Sequence, residues 1–106
     1  MGKLLYGPSV EIIFDDRVLA HLQLAMGQKL RRHEGFFFSW KDETVVGDGR
    51  STLWIETSIP LVFRYNGGRM PAINRDWLEV LVRSSNSPQG LQLTDESAVH
   101  GTPDAK

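Results

Sequence analysis

Residues 16–41, DRVLAHLQLAMGQKLRRHEGFFFSWK, contain the change from a helical to an extended pattern that decides the fold. In the first half, apolar side chains recur at steps of three and four, as on a helix laid against a sheet. These core-facing residues are Val18, Leu19, Leu22, Ala25, Met26 and Leu30. In the second half, the aromatic residues Phe36, Phe38 and Trp40 occupy alternate positions. We therefore predict a helix over residues 16–33 and a strand over residues 35–41 with an aromatic face.

Both ends of this helix carry recognisable signals. Asp15 offers a carboxylate to cap free amides, and Asp16 places negative charge near the positive end of the helix dipole. Basic residues crowd the last turn, where they complement the negative end, and Gly35 lets the chain leave the helix. The basic residues are Lys29, Arg31, Arg32 and His33.

The segments on either side of this stretch have strand-like composition. Residues 3–6 and 9–14 are short apolar runs around Gly7 and Pro8, which predicts a β-hairpin. Residues 51–56 and 61–65 are again β-rich, so we predict that they continue the aromatic strand as a three-strand meander. We interpret Gly47-Asp48-Gly49 as a connection between strands rather than a phosphate-binding loop, because a strand and not a helix follows it.

A second helix is predicted after Asn74, a residue that commonly caps helices. The apolar residues that begin at Trp77 cover more than half of its circumference, Pro88 ends it, and residues 90–93 can return as a short strand. The predicted order is ββαβββαβ, an α+β fold with a mainly antiparallel sheet and two helices packed on one face. We expect one domain over residues 1–93 and a polar tail over residues 94–106.

Composition excludes several classes of protein. The 106 residues include 12 basic and 13 acidic side chains, and a net charge of −1 creates no overall attraction to nucleic acid or anionic lipid. The chain has no cysteine, which excludes disulfides and thiolate metal sites and suits a reducing compartment. No stretch approaches the ~20 apolar residues that span a bilayer, so we expect a cytoplasmic protein without membrane contact.

Three stretches resemble a family of small uncharacterised actinobacterial proteins: residues 14–22 (FDDRVLAHL), 29–32 (KLRR) and 58–63 (SIPLVF). With residues 47–50 (GDGR) and 84–87 (SSNS), the resemblance covers most of the chain. Members of that family often carry the automatic label ATP-dependent DNA ligase, although the resemblance implies no established activity or catalytic residue.

The ligase label can be tested against the sequence. An ATP-dependent ligase needs a nucleophilic lysine in a Lys-x-Asp-Gly motif. The nearest strings, Lys41-Asp42-Glu43-Thr44 and Gly47-Asp48-Gly49-Arg50, do not combine the required residues. Ligase activity is therefore not supported for this chain by itself.

No metal, cofactor or catalytic residue is predicted. No two of the histidines His21, His33 and His100 lie three or four residues apart, no cysteine can complete a metal site, and no Gly-x-Ser-x-Gly motif is present. An enzyme stays an alternative, and a deep pocket with converging polar groups would reveal it.

The sequence contains two kinds of candidate binding surface. Basic and polar side chains on one flank of the first helix are candidate nucleic-acid contacts, namely Arg17, His21, Arg31 and Arg32. The alternative interpretation of this flank is solvated side chains, because nearby acidic residues dilute its charge.

Self-association with a second copy is the preferred hypothesis, and it makes the protein a non-enzymatic interaction domain and a homo-oligomer. Leu24 stands apart from the core-facing residues of the first helix, between the small residues Ala20 and Gly27. Small residues allow a second helix to approach closely, and a dyad doubles every contact. Trp54 is the other candidate contact. It alternates with Leu53 and Ile55, so either Trp54 or those two residues face outward, and an exposed tryptophan indicates an interface.

Overall fold

The computed structural model describes residues 1–41 and 49–98 of the chain. Its elements are β1 (Gly2–Tyr6), β2 (Val10–Phe14), α1 (Asp16–Arg31), β3 (Phe36–Lys41), β4 (Arg50–Ile55), β5 (Leu61–Arg64), α2 (Arg75–Ser85), β6 (Leu91–Gln92) and a 3-10 turn, Glu96–Ala98. The α+β class and the order ββαβββαβ are confirmed. The predicted connection at Gly47-Asp48 and the tail beyond residue 98 lie outside the described residues.

The strands form two small sheets rather than one. In the first, β1 lies between β2 and β5, and in the second, β3 lies between β4 and β6. All pairs are antiparallel except β3 with β6. The predicted meander is wrong at its last step, because β5 pairs with β1 and places Phe63 opposite Leu4. The N–H of Gly7 donates to the C=O of Pro60 and continues this pairing beyond the strands.

The two ends of α1 differ in detail from the prediction. Asp15 occupies the N-cap position, but its side chain makes no capping bond. The next carboxylate, Asp16, instead accepts from the N–H groups of Asn66 and Gly67 at 3.0 and 2.8 Å, and these bonds lower its pKa. At the other end the chain leaves the helix earlier than predicted, because His33 has a φ of +57° and reverses its direction.

Helix α2 begins as predicted. The side-chain oxygen of Asn74 accepts from the N–H groups of Asp76 and Trp77 at 3.0 and 3.1 Å. The apolar core lies between the helices and the inner faces of both sheets. Its buried members are Leu4, Tyr6, Leu19, Leu22, Ala25, Met26, Phe36, Phe38, Ile55, Trp77, Leu81 and Leu91. The predicted core positions Phe36, Phe38 and Trp77 are thus confirmed, and Trp40 packs against the core from a partly buried position.

Candidate functional site

An aromatic pair is the most distinctive feature of the surface. Phe37 on β3 and Trp54 on β4 lie opposite each other in the sheet, with ring centroids 4.9 Å apart in an edge-to-face arrangement. Their side chains are 44% and 46% exposed. Edge-to-face packing suits the quadrupoles of the two rings. Two large aromatic side chains thus form an apolar patch that no described element of the fold covers.

Strand alternation explains why these two residues face outward. On β3 the neighbours Phe36 and Phe38 point into the core, and on β4 Ile55 does the same. Because side chains alternate between the two faces of a strand, Phe37 and Trp54 must point to the opposite face. The helices occupy the inner faces, so no helix in the described part of the chain covers this outer face of the second sheet.

A shallow cleft of about 180 Å³ adjoins the aromatic pair. Lys29, Gly35, Ser87, Pro88 and the two aromatic residues line it. Glycines bring the backbone close here, because Gly90 has a φ of +85° and any Cβ at this position would collide with the carbonyl oxygen of Phe37. The charge of Lys29 is already paired with Glu34 at 3.2 Å. The cleft therefore combines aromatic rings with serine hydroxyls and a paired lysine, and its lining lacks a converging set of titratable groups.

Polar side chains around the pair bond to one another. The hydroxyls of Ser39 and Thr52 lie 2.8 Å apart, and Arg50 donates to the side-chain oxygen of Gln92 at 2.6 Å. The indole N–H of Trp54 donates to Glu56 at 3.2 Å. This surface therefore has an aromatic centre and a polar rim, an arrangement typical of protein interfaces.

The seam predicted on α1 is only partly at the surface. Leu24 is 44% exposed, and a side chain added at Gly27 would meet open space. Ala20 is only 2% exposed and lies in the core, so its side chain cannot line a contact with a second helix. Ala20 and Leu24 are one helical turn apart, yet Ala20 faces the core and Leu24 faces outward. The helical period by itself did not predict this difference in burial.

The four predicted nucleic-acid contacts differ in their exposure and in their partners. Arg31 and Arg32 are exposed at the end of α1, although Arg32 lies 3.5 Å from the carboxylate of Glu34. His21 is completely buried, and Arg17 binds groups of the protein itself. The structure therefore does not bring these four residues together on one surface.

Arg17 and His21 instead belong to a polar junction that the sequence did not predict. We use this name for Arg17, His21, Asn74 and Glu96, which join α1, the start of α2 and the final 3-10 turn. Arg17 donates two bonds of 2.7 Å to the carboxylate of Glu96 and a third of 2.6 Å to the C=O of Ala72. The side-chain amide of Asn74 donates to the same carboxylate at 2.9 Å.

The buried ring of His21 joins the polar junction through two hydrogen bonds. Its Nδ1–H donates to the C=O of Arg17 at 2.7 Å, and its Nε2 accepts from the N–H of Asn74 at 2.8 Å. These two partners require the neutral ring with the proton on Nδ1. The ring also packs against Trp77, with centroids 4.4 Å apart. Since every named group has a partner within the protein, the polar junction is a structural connection.

Electrostatics in the polar junction give a test by pH. The Arg17 guanidinium, with a smaller contribution from Asn74, lowers the pKa of Glu96 from an ordinary 4.5 to about 2. Ionised Glu96 therefore stabilises the fold fully above about pH 4.5, and this contribution is lost as the pH falls towards 2. Glu96 is partly exposed, and solvent screening reduces the expected contribution to about 1 kcal/mol.

We expect Glu96→Gln to lower the free energy of unfolding by about 1 kcal/mol at neutral pH, and expect the difference from wild type to vanish near pH 2. Urea unfolding followed by tryptophan fluorescence across this pH range measures both effects. Glu79→Gln is the matched control, because its ion pair with Arg83 is exposed. An equal loss at both ends of the pH range would contradict the charge-based explanation.

Among residues 1–41 and 49–98, no group of three His, Asp or Glu side chains is placed to hold a metal ion. No helix in the same part of the chain is long and apolar enough to cross a bilayer. His33 is exposed, and His100 lies outside the described residues.

Comparisons with known proteins place the chain in a family. Neither the curated proteins nor the solved structures contain a significant match to it. A family model described as a domain of unknown function, DUF7882, matches residues 1–96. The matched region includes both sheets, both helices, the aromatic pair and all of the polar junction. Because this match extends over far more than half of the sequence, the chain belongs to the DUF7882 family.

Proposed function

We propose that this domain is a non-enzymatic protein-interaction module that associates with a second copy of itself through the outer face of the β4-β3-β6 sheet. The observation that carries the proposal is the exposed aromatic pair, Phe37 and Trp54. Aromatic residues are enriched at the centres of interfaces, and tryptophan is frequent among the residues that dominate binding energy. The polar rim around the pair suits such an interface.

Two features favour binding over catalysis. The described cleft is shallow, and its lysine is paired with Glu34. The polar junction has its hydrogen bonds satisfied within the protein. We also propose a cytoplasmic location, because a chain without cysteine suits a reducing compartment.

Nucleic-acid binding is the alternative proposal. Its support is the exposure of Arg31 and Arg32 at the end of α1. Arg17 and His21 are occupied in the polar junction, and the net charge of −1 adds no general attraction. The aromatic surface therefore supports a protein partner better than the basic flank supports a nucleic acid.

The self-association proposal predicts a concentration-dependent mass. Sedimentation equilibrium should show wild-type protein at twice the 12.0 kDa of one chain. Trp54→Ser should raise the dissociation constant about thirtyfold, the usual effect of removing a dominant interface residue. Circular dichroism should show an unchanged fold, because Trp54 contributes to the surface and not to the core.

Leu24→Arg on α1 is the matched control, because Leu24 is equally exposed on a different surface. It should leave the mass unchanged. Monomeric wild-type protein at millimolar concentration would contradict self-association. Dissociation by Leu24→Arg, with no effect of Trp54→Ser, would move the interface to α1.

A further inference from the structure

The backbone of β4 has an unpaired edge. Among the described residues, β4 is an outer strand of the second sheet and pairs only with β3. The direction of its hydrogen-bonding groups follows from β3. The N–H of Leu93 donates to the C=O of Ser39, so the backbone groups of Ser39 point towards β6. In the antiparallel ladder between β3 and β4, Thr52 lies opposite Ser39. The N–H and C=O of Thr52 must therefore point away from β3.

The same alternation applies along the whole strand. Arg50 and Trp54 also direct their backbone groups outward, whereas Ser51 and Leu53 direct theirs towards β3. Glu56, two residues beyond Trp54, confirms the parity, because its N–H points away from β3 and donates to the hydroxyl of Tyr6 at 2.8 Å. Within residues 1–41 and 49–98, no group bonds to the outward N–H and C=O of Thr52 or Trp54.

The other sheet edges carry features that discourage pairing. Strand β2 has the exposed charge of Glu11 as the second of its five residues, and β6 has only two residues. Strand β5 has four residues, follows Pro60 and ends in Arg64. Charges, prolines and short length are the usual protections of edge strands. The sequence of β4, RSTLWI, has no charge or proline after its first residue.

We infer that β4 pairs antiparallel with the β4 strand of a second copy, centred on Thr52, to join the two β4-β3-β6 sheets into one. This inference rests on the proposed self-association and names its geometry. In this register Arg50 pairs with the partner's Trp54, Thr52 with the partner's Thr52, and Trp54 with the partner's Arg50. All of these residues point their backbone groups outward, so the pairing makes about six backbone hydrogen bonds. A centre nearer to Glu56 would require the N–H that Tyr6 already occupies.

Side chains on the outer face also match in this register. Thr52 faces the partner's Thr52 across the dyad, a favourable cross-strand pair. Arg50 faces the partner's Trp54 and lies diagonally from the partner's Glu56, which hydrogen-bonds to that indole within its own chain. On pairing, the Arg50 guanidinium, which bonds to Gln92 within one chain, turns to an aromatic ring and a carboxylate of the partner, twice by symmetry. This complementarity between the two ends of one strand favours a second copy as the occupant of the edge.

Proline substitution tests the backbone pairing. Among backbone groups, Thr52→Pro removes only an outward N–H, so it spares the β3–β4 ladder while it blocks the new one. It also removes the hydroxyl bond to Ser39, a loss that the Thr52→Val variant shares. We expect it to raise the dissociation constant of the dimer about a hundredfold. Thr52→Val keeps the N–H and is the matched control, with a dissociation constant like that of wild type. Dimers of Thr52→Pro as tight as wild type would overturn the edge pairing.

Crosslinking supplies a second measurement in case the proline variant does not fold. The chain has no cysteine, so a single introduced thiol reports on one position. Paired residues at the dyad have Cα atoms about 5.5 Å apart, within the range of a disulfide. Mild oxidation of Thr52→Cys should give covalent dimer about tenfold faster than oxidation of Leu24→Cys on α1.

The outcomes separate the two proposals. If wild-type protein is monomeric, both self-association and edge pairing fail. If wild type is dimeric and sensitive to Trp54→Ser, but Thr52→Cys crosslinks no faster than Leu24→Cys, the aromatic face is the interface and edge pairing is wrong.

Discussion

Replacing Trp77 with alanine should lower the free energy of unfolding by about 3–5 kcal/mol, the usual cost of removing a buried tryptophan. The ring is almost completely buried between the helices and the second sheet, where it packs against His21. Its indole N–H donates to the C=O of Thr94 at 3.1 Å, so the truncation also leaves that carbonyl without its donor. Urea unfolding followed by far-ultraviolet circular dichroism measures the loss.

Trp54→Ala is the matched control for this measurement, because it removes the same side chain from an exposed position. It should cost about 1 kcal/mol or less, since it forfeits mainly the contact with Phe37. Similar losses for the two tryptophan variants would contradict the distinction between a core tryptophan and a surface tryptophan on which the proposed interface depends.

His21→Ala should lower the free energy of unfolding by about 2–4 kcal/mol. The substitution empties a completely buried site beside Trp77 and removes the acceptor for the N–H of Asn74. Asn74 caps α2 through its side-chain oxygen and donates to the Glu96 carboxylate from its side-chain amide. If Asn74 loses its bond to His21, α2 and the final turn should therefore loosen together.

Two further variants identify the cause. His21→Gln can still offer an acceptor to Asn74, and it should recover part of the loss. His33→Asn changes an exposed histidine at a left-handed position that asparagine tolerates, and it should leave stability nearly unchanged. A loss of stability for His33→Asn equal to that for His21→Ala would contradict the structural role of the polar junction. Thermal unfolding of all three proteins provides the comparison.

The aromatic pair shows how far a strand pattern can be taken. The alternation in residues 36–41 predicted which face of β3 enters the core, and Phe36 and Phe38 are buried as expected. It left the orientation of Trp54 undecided, because either Trp54 or its neighbours Leu53 and Ile55 could face outward. The register with β3 decided the matter by placing Trp54 opposite the exposed Phe37.

The polar junction was beyond prediction for a different reason. Arg17 and Glu96 are 79 positions apart, and Asn74 and His21 are 53 apart. Neither residue type nor local spacing indicates which distant polar groups will meet. Arg17 and His21 therefore looked like surface contacts on a helix flank, and Glu96 looked like part of a polar tail.

The sequence by itself determined the local elements: two amphipathic helices, six strands and their order, the cap at Asn74 and the buried aromatic residues. Each follows from side chains within a few positions of one another, because the periods of 3.6 and 2 and the capping rules are local. Tertiary structure alone decided that β5 joins β1, that Ala20 and His21 turn inward and that residues 1–41 and 49–98 leave the outer edge of β4 unpaired. Strand partners and buried polar bonds depend on which distant segments can share one core, and no local pattern specifies that choice.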